Sequence, residues 1–125
     1  MKTTINDITQ YIIVRKDLNM SVGKLAAQVS HAAVNAYVKA SKGSVEEFLA
    51  AEIWINGNFK KVVLGINSEK ALLALAEKLE QDNIKYELIY DNGLTELQSG
   101  TLTCMGIIPY PKFRLKDKLK RLQVL

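Results

Sequence analysis

Three polar side chains recur at helical spacing in the stretch GKLAAQVSHAA, residues 23–33, and they are Lys24, Gln28 and His31. Because an α-helix turns once in about 3.6 residues, the three fall on one stripe of a helix. Gly23 and Lys24 come at the start of that helix, where free N–H groups and the helix dipole favour an anion. The stripe is therefore either a surface that faces a substrate or the polar edge of an ordinary helix.

A second polar stretch, DNGLTELQSGTLT, follows a short apolar run. In open α/β sheets, ligands bind beyond the carboxyl ends of strands, and this stretch leaves such an end. It supplies the carboxylate of Asp91, and its glycines allow backbone to approach a ligand closely. Each residue also has an ordinary interpretation as a turn or strand residue. The candidate residues in this stretch are Asp91, Gly93, Thr95, Gly100, Thr101 and Thr103.

A single histidine, His31, and a single cysteine, Cys104, limit other chemistry. No Ser–His–Asp or Cys–His arrangement and no metal-ligand spacing is evident, so we expect no metal and no cofactor. A lone cysteine allows no internal disulfide, which fits a reducing compartment. No apolar run reaches the roughly 18 residues of a membrane span, and the polar start lacks the apolar stretch of a secretory signal. We therefore expect a cytoplasmic protein with no membrane partner.

The net charge of +4 is concentrated at the C-terminal end of the chain. From Lys112 onward there are six basic residues and one acidic residue, whereas residues 1–111 hold eleven basic and twelve acidic residues. Basic clusters attract polyanions such as nucleic acid. Lys116, Lys120 and Arg121 are the candidate contacts, and the alternative is a solvated helix face.

Apolar strands and amphipathic helices must position these residues. The patterns predict strands in QYIIVRKD, KKVVLGI, YELIY and TLTCMGIIP. Helices are predicted from Lys24 to about Ala40, after the capping box of Ser44 and Glu47, after Ser68, and over the leucines at 115, 119 and 122. Alanines at positions 26, 33, 36 and 40 would let the first helix lie close to a sheet.

Continuous apolar strands mixed with helices imply a sheet that is covered on both faces. The last two strands are joined without an intervening helix, which favours an antiparallel pair. We therefore expect an α/β fold, a three-layer α/β/α sandwich around a mixed four-stranded sheet. The elements predict one domain over residues 1–125, with a polar lead over residues 1–9.

Two long stretches occur in order along the chain, IVRKDLNMSVGKLAAQVSHAAVNAY and LIYDNGLTELQSGTLTCMGIIP. Together with Trp54 and the strand KKVVLGI, they resemble the archaeal and eukaryotic type of peptidyl-tRNA hydrolase over about residues 10–125. The Gly-Lys, Ala-Ala-Gln and Ser-His-Ala motifs are those of the family. The chain departs from the family's pattern at several residues. Asn92 replaces an alanine, Leu94 replaces a basic residue before Thr95, and Ser99 replaces the proline before Gly100, while Val29 stands where a cysteine often follows Ala-Ala-Gln.

The resemblance implies hydrolysis of the ester between a peptide's carboxyl group and the 3′ ribose of tRNA. It implies tRNA as a partner and a homodimer, which is common in the family. The active-site residues that it implies are Lys24, Asp91, Thr95 and Thr103. We interpret Asp91 as orienting or deprotonating a water, and Lys24 as keeping Asp91 ionised and stabilising the oxyanion. The two threonines would hydrogen-bond the water or the carbonyl oxygen.

Gln28 and His31 occupy family positions beside that site. Because His31 lies almost two turns into the helix, a structural histidine with its hydrogen bonds satisfied is the favoured interpretation. The candidate substrate-binding residues are Gly23, Gln28, His31, Gly93, Gly100 and Thr101. Two other functions remain open, a non-catalytic tRNA- or protein-binding module on the same scaffold and a different ester or amide hydrolase with a small substrate.

Overall fold

The computed structural model describes residues 7–92, 97–98 and 100–125. Within them lie six strands, four helices and a single 3₁₀ turn at Lys16–Leu18. The strands are β1 (Ile8–Arg15), β2 (Lys61–Ile66), β3 (Tyr86–Tyr90), β4 (Leu102–Ile107), β5 (Tyr110–Pro111) and β6 (Gln123–Val124). The helices are α1 (Val22–Ser41), α2 (Val45–Asn56), α3 (Glu69–Gln81) and α4 (Lys112–Leu119).

The strands form one mixed sheet in the order β3-β4-β1-β2-β6, and β5 pairs with β1. The pair β1–β2 is parallel, whereas β4 is antiparallel to both β1 and β3, and β6 is antiparallel to β2. Strands β1, β2 and β3 therefore run in the same direction. Their carboxyl ends meet at one side of the sheet, which we call the carboxyl edge.

The prediction of a mixed α/β fold is confirmed, but the predicted number of four strands is wrong. The two additional strands, β5 and β6, are two residues long, which is too short to show an alternating pattern. The predicted antiparallel pairing of the last two long strands is confirmed in β3 and β4. Strand β1 begins at Ile8, inside the segment that was expected to be a polar lead.

Alternate residues of β1 point to opposite faces of the sheet, and each face has its own core. Ile13 packs in a cluster with Leu72 of α3 and Leu115 of α4. Ile12 packs in a second cluster with Ala32 of α1. Helices thus cover both faces, in agreement with a layered α/β/α arrangement.

Helix α1 lies unusually close to β4. Its small residues Ala32, Ala36 and Ala40 are fully buried, whereas Ala26 is exposed. A Cβ placed on Gly106 of β4 would lie 2.4 Å from the carbonyl oxygen of Ala32, so only glycine fits there without a shift. The prediction that small residues bring this helix close to the sheet is confirmed at Ala36 and Ala40.

Serine caps fix where the first three helices begin. Ser21 accepts a hydrogen bond from the backbone N–H of Lys24 at 3.4 Å, so α1 begins at Val22 rather than at Lys24. The predicted caps of α2 and α3 at Ser44 and Ser68 are confirmed. Within the described residues, no helix combines the length and the hydrophobicity needed to cross a membrane.

Candidate active site

An ion pair at the carboxyl edge joins the two segments that the sequence singled out. Lys24 lies in the first turn of α1, and Asp91 directly follows β3. The ammonium of Lys24 contacts Oδ1 of Asp91, and their side chains are only 9% and 1% exposed. Because removing one partner would leave a buried charge uncompensated, at a cost of about 3–5 kcal/mol, each residue holds the other in place.

The backbone of Asp91 is fixed as firmly as its side chain. Its N–H donates to the carbonyl of Thr101 at 2.8 Å, and its carbonyl accepts from the N–H of Gly100 at 2.8 Å. Gly100 has a φ of +86°, a conformation that residues with a side chain rarely adopt. These hydrogen bonds join both ends of the segment that connects β3 to β4, so β4 helps to place the carboxylate.

A second contact between α1 and β4 lies beside the ion pair. The hydroxyl of Thr103 lies 2.6 Å from Oε1 of Gln28 and 3.1 Å from the carbonyl of Ile89. A threonine hydroxyl has one proton, so it donates to one of these oxygens at a time. Thr103 is fully buried and Gln28 is 5% exposed. Thr103 therefore acts on the side chain of Gln28, one helical turn from Lys24.

Cys104 directly follows Thr103 on β4, but it is not a candidate nucleophile. Burial raises the pKa of its thiol to about 11, and the hydrogen bond with Thr103 offsets this only in part. At neutral pH the group is therefore a protonated thiol, and a thiol is a poor nucleophile. Its thiol donates a hydrogen bond to the carbonyl of Gln28 at 3.4 Å, so Cys104 helps to hold α1 against β4.

The other predicted site residues are less closely associated with the pair. Gly23 lies in the first turn of α1 with open space around it, and the hydroxyl of Thr101 donates to the carbonyl of Gln98 at 2.6 Å. His31 is exposed on α1, so it is not enclosed within the fold as a structural histidine would be. Four residues named from the sequence lie outside the described residues, namely Gly93, Leu94, Thr95 and Ser99.

The basic residues of the C-terminal segment lie apart from the ion pair. Lys116, Lys120 and Arg121 are all exposed. Lys120 and Arg121 line a groove of about 550 Å³ between α3 and α4, together with Lys78 and Lys118. The chain then enters β6 at the carboxyl edge, because β6 runs antiparallel to β2. Four strand spacings of roughly 4.8 Å separate β6 from β3, so the strand that follows the groove lies about 20 Å from β3 along the sheet.

Arg15 and Asp17 form a further pair at this edge, which the sequence did not predict as part of the site. Arg15 ends β1 and donates from Nη1 to the carbonyl of Leu102 at 2.9 Å. Its guanidinium also donates to both carboxylate oxygens of Asp17, at 3.2 Å and 2.7 Å. The hydrogen bond from Arg15 holds the pKa of Asp17 below its usual value. The available signal was an arginine at the end of a strand with an aspartate two residues later.

The chemistry that this arrangement can perform is acid–base chemistry. Among the residues that the structure describes, no three His, Cys, Asp or Glu side chains are grouped to hold a metal. An ionised carboxylate beside a cation at the ligand-binding edge of an α/β sheet can orient a water and stabilise an oxyanion. The fold and the site thus define an α/β protein with a paired carboxylate and ammonium that can take part in hydrolysis.

Comparison with known proteins agrees with this class. The family model described as Peptidyl-tRNA hydrolase PTH2 matches residues 8–125, so the chain belongs to the peptidyl-tRNA hydrolase family. It is 40% identical over 116 residues to a protein of Methanococcus vannielii named peptidyl-tRNA hydrolase, covering 93% of this chain and 97% of that protein. Proteins of the same name from Thermococcus sibiricus and Staphylothermus marinus are 47% and 45% identical, over 82% and 93% of this chain and 85% and 93% of theirs.

Proposed function

We propose that this protein hydrolyses peptidyl-tRNA, releasing a free peptide and a reusable tRNA. The observation that carries the proposal is the buried Lys24–Asp91 pair at the carboxyl edge, in a chain that the family model matches over residues 8–125. The other two functions are less well supported. A binding module does not need a desolvated carboxylate at the ligand-binding edge, and the named relatives give no support for a small-molecule hydrolase.

In the proposed reaction, the carboxylate of Asp91 orients a water and accepts one of its protons. The water oxygen forms a bond to the ester carbonyl carbon, and the carbonyl oxygen becomes an oxyanion. The ammonium of Lys24 stabilises that charge, and its proximity keeps Asp91 ionised. The bond between the carbonyl carbon and the ribose 3′ oxygen then breaks, and the ribose oxygen takes up the proton. The products are the 3′-hydroxyl of tRNA and a peptide carboxylic acid, which releases the second proton of the water to solvent and becomes a carboxylate.

The neighbouring residues would orient the ester. Because Thr103 is fully buried, we assign it the role of holding Gln28 rather than contact with the substrate. Gln28 then binds the ester or the water with its side-chain Nε2, since Thr103 bonds its Oε1. We retain Gly23, Gly100 and Thr101 as substrate contacts at the carboxyl edge, and Gly93, Thr95 and His31 as further candidates on sequence grounds.

The tRNA would bind across the carboxyl edge toward the C-terminal segment. Lys120 and Arg121 line a groove that has four basic residues in all, and Lys116 is exposed on α4. Phosphate contacts by such residues position a nucleic acid without reading its sequence. A cytoplasmic location follows from the substrate, since peptidyl-tRNA arises during translation.

We also propose that the protein forms a homodimer through the outer surface of α2, which we define by Val45, Phe48, Leu49 and Ile53. All four side chains are exposed, although a helix with apolar residues on every side is typically buried. Glu46 and Arg114 both line the groove beside this surface. An interface around a two-fold axis is self-complementary, so a surface that carries both an acid and a base suits a second copy of the chain.

The decisive experiment for the activity is release of tRNA from peptidyl-tRNA by the purified protein. The control substrate is a free amino-acid ester without tRNA. Turnover of peptidyl-tRNA with no cleavage of the control supports the proposal, whereas binding of tRNA without release would make the protein a binding module. Equal cleavage of both substrates would indicate a general esterase. For the dimer, Leu49→Glu should convert a dimer into a monomer in light scattering, and a monomeric parent protein would overturn that part of the proposal.

A further inference from the structure

We propose that Arg15 and Asp17 form a positioning pair for hydrolysis, which fixes the start of β4 and thereby the place of Asp91 and Gln28. The inference rests on the proposed function, because it assigns these residues a role in that reaction. Their effect passes through three consecutive residues, Thr101 just before β4 and Leu102 and Thr103 at its start.

The guanidinium of Arg15 extends the sheet beyond the point where its backbone pairing stops. The last paired residues of β1 and β4 are Val14 and Cys104. Beyond them, Nη1 of Arg15 donates to the carbonyl of Leu102 at 2.9 Å. A side chain therefore supplies the hydrogen bond to β4 that the backbone of β1 no longer provides.

Asp17 holds that guanidinium in one orientation. It accepts two hydrogen bonds from Arg15, and a paired fork of this kind fixes the guanidinium plane as well as its distance. The Arg15 side chain is 11% exposed, so water screens the pair only in part. The 3₁₀ turn places Asp17 there, and Asn19 ends the turn in a left-handed conformation with a φ of 51°.

Leu102 lies between the two contacts that organise the site. The preceding residue, Thr101, accepts the hydrogen bond from the backbone N–H of Asp91 at 2.8 Å. The following residue, Thr103, bonds the side chain of Gln28 at 2.6 Å. Because both contacts are made by residues directly adjacent to Leu102, a shift of the Leu102 carbonyl moves both of them.

The pairing of β3 with β4 does not fix this position on its own. The register shifts between Ile89 and Tyr90, where Tyr90 pairs with Leu102. A register irregularity locally disrupts the ladder and loosens the alignment of the strands. Arg15 therefore restrains β4 from the opposite side, at the residue where its alignment with β3 is weakest.

The test compares Arg15→Lys and Arg15→Met with the parent protein. Lysine keeps the charge but cannot hold two carboxylate oxygens and a carbonyl in one plane. We expect both variants to lower kcat by about tenfold, with KM for peptidyl-tRNA changed less than about threefold, because a small displacement of reacting groups slows chemistry more than binding. Asp17→Asn should lower kcat in the same direction but less, since the amide oxygen still accepts one hydrogen bond.

The matched control is Lys85→Met. This variant breaks an ion pair with the mostly buried carboxylate of Glu47, but Lys85 precedes β3 and lies at the opposite edge from Asp91. It should lower the melting temperature as the Arg15 variants do and leave kcat at the parent value. All assays are run well below the lowest melting temperature, so that loss of folded protein does not lower the rate.

Amide hydrogen exchange gives a readout that does not depend on activity. Exchange at the N–H groups of Asp91 and Gly100 should accelerate in both Arg15 variants and stay unchanged in Lys85→Met. An inactive parent protein would reject the proposed function, and the exchange rates would then decide the structural part alone. With an active parent, parent-like kcat in both Arg15 variants would overturn the positioning role. A rise in KM alone would also overturn it, and would assign Arg15 to tRNA binding.

Discussion

Two ion pairs of the same chemical type lie at opposite edges of the sheet. Lys24 contacts Asp91 at the carboxyl edge, and Lys85 contacts Glu47 at 2.8 Å at the other edge. The side chain of Lys85 is 44% exposed, whereas that of Lys24 is 9% exposed. Water therefore screens the Lys85–Glu47 pair, and the Lys24–Asp91 pair acts in a less polar environment.

The two carboxylates also differ in what else they hold. Glu47 completes a capping box, in which its Oε1 accepts from the N–H of Ser44 at 2.9 Å and its own N–H donates to Ser44 Oγ at 3.1 Å. Gly43 leaves the room that this requires, because a Cβ there would lie 2.1 Å from that oxygen. Glu47 thus has a structural role, because it caps the N-terminus of α2. Asp91 ends a strand at the ligand-binding edge, so the same pairing of charges there serves chemistry.

The sharpest test of this contrast is the loss of charge at the carboxyl edge. Lys24→Ala and Asp91→Ala should each lower turnover by at least about 10²-fold, as expected when electrostatic or acid–base assistance is lost. Lys85→Ala should leave turnover unchanged. The measurement is kcat for peptidyl-tRNA, with circular dichroism to confirm that each variant folds. Near-parent turnover in either carboxyl-edge variant would contradict the assignment.

A double variant separates stability from chemistry at the same pair. Lys24→Met combined with Asp91→Leu leaves no unpaired buried charge, so its melting temperature should exceed that of either single variant. Its turnover should stay as low as that of the single variants. Recovery of activity together with stability would mean that the pair is structural, like Lys85 and Glu47.

A smaller effect is expected where binding, rather than chemistry, depends on charge. Changing Lys116, Lys120 and Arg121 to Gln should raise KM for peptidyl-tRNA by roughly tenfold at low salt and flatten its dependence on salt, because fewer counterions are released. Turnover at saturation should change little. The buried leucines of α4 still dock the helix, so stability should be retained.

The control for that experiment removes the same number of charges elsewhere. Lys39, Lys42 and Lys60 are exposed, and changing them to Gln should leave KM and its salt dependence as in the parent. If both triple variants behave alike, only net charge matters. If neither differs from the parent, the tRNA contacts lie elsewhere, near Lys24 and the segment 91–101.

His31 should matter less than either member of the carboxyl-edge pair. The residue is exposed and lies seven residues beyond Lys24 on the same helix, so His31→Asn changes an exposed side chain and leaves the buried pair intact. We expect kcat/KM to fall by less than about threefold, which is the scale of a lost peripheral contact. A loss as large as that of Lys24→Ala would place the imidazole in the reaction itself.

The smallest expected effect on activity belongs to Glu47, whose variants should change stability instead. Burial pushes the pKa of Glu47 up, but hydrogen bonds from Lys85 and from the N–H of Ser44 outweigh it, so the pKa is lowered. A lowered pKa stabilises the fold above the unfolded pKa of about 4.3, and that stability is lost as the pH falls through the folded value.

Glu47→Gln should therefore lower the melting temperature at pH 7 by a few degrees, roughly what the loss of one cap interaction costs. The difference from the parent should shrink at pH values well below 4, where both side chains are uncharged. Thermal melts over that pH range provide the measurement. A difference that is constant with pH would show that the charge of Glu47 does not contribute.

The sequence predicted what depends on neighbouring residues. Ser44 with Glu47 and Ser68 mark the starts of α2 and α3, and the run YELIY coincides with β3 at Tyr86–Tyr90. The meeting of Lys24 with Asp91 spans 67 residues, and no propensity encodes it. It could be expected only because both residues match motifs of one family and both follow strands that end at the same edge.

The features that the sequence did not predict depend on three-dimensional context. Thr103 has the residue type of a surface hydroxyl, yet it is fully buried against Gln28 because α1 lies so close to β4. Arg15 carries a charge at a strand end, which is typical of a solvated residue, and its contact with Leu102 depends on where the pairing of β1 with β4 stops. Burial and sheet register cannot be read from short-range patterns.

Gly106 has a consequence that extends beyond its own position. The missing side chain lets α1 approach the backbone of β4 so closely that a Cβ at position 106 would lie 2.4 Å from the carbonyl oxygen of Ala32. Gln28 lies one turn before Ala32 on the helix. Thr103 lies three residues before Gly106 on the strand. The distance between α1 and β4 at Gly106 therefore also affects the distance between Gln28 and Thr103. A methyl group at position 106 would push the helix away from the strand. It would thereby separate Gln28 from Thr103, although it contacts neither residue. The spacing between the two sides of the site therefore depends in part on Gly106, which has a hydrogen atom where other residues have a side chain.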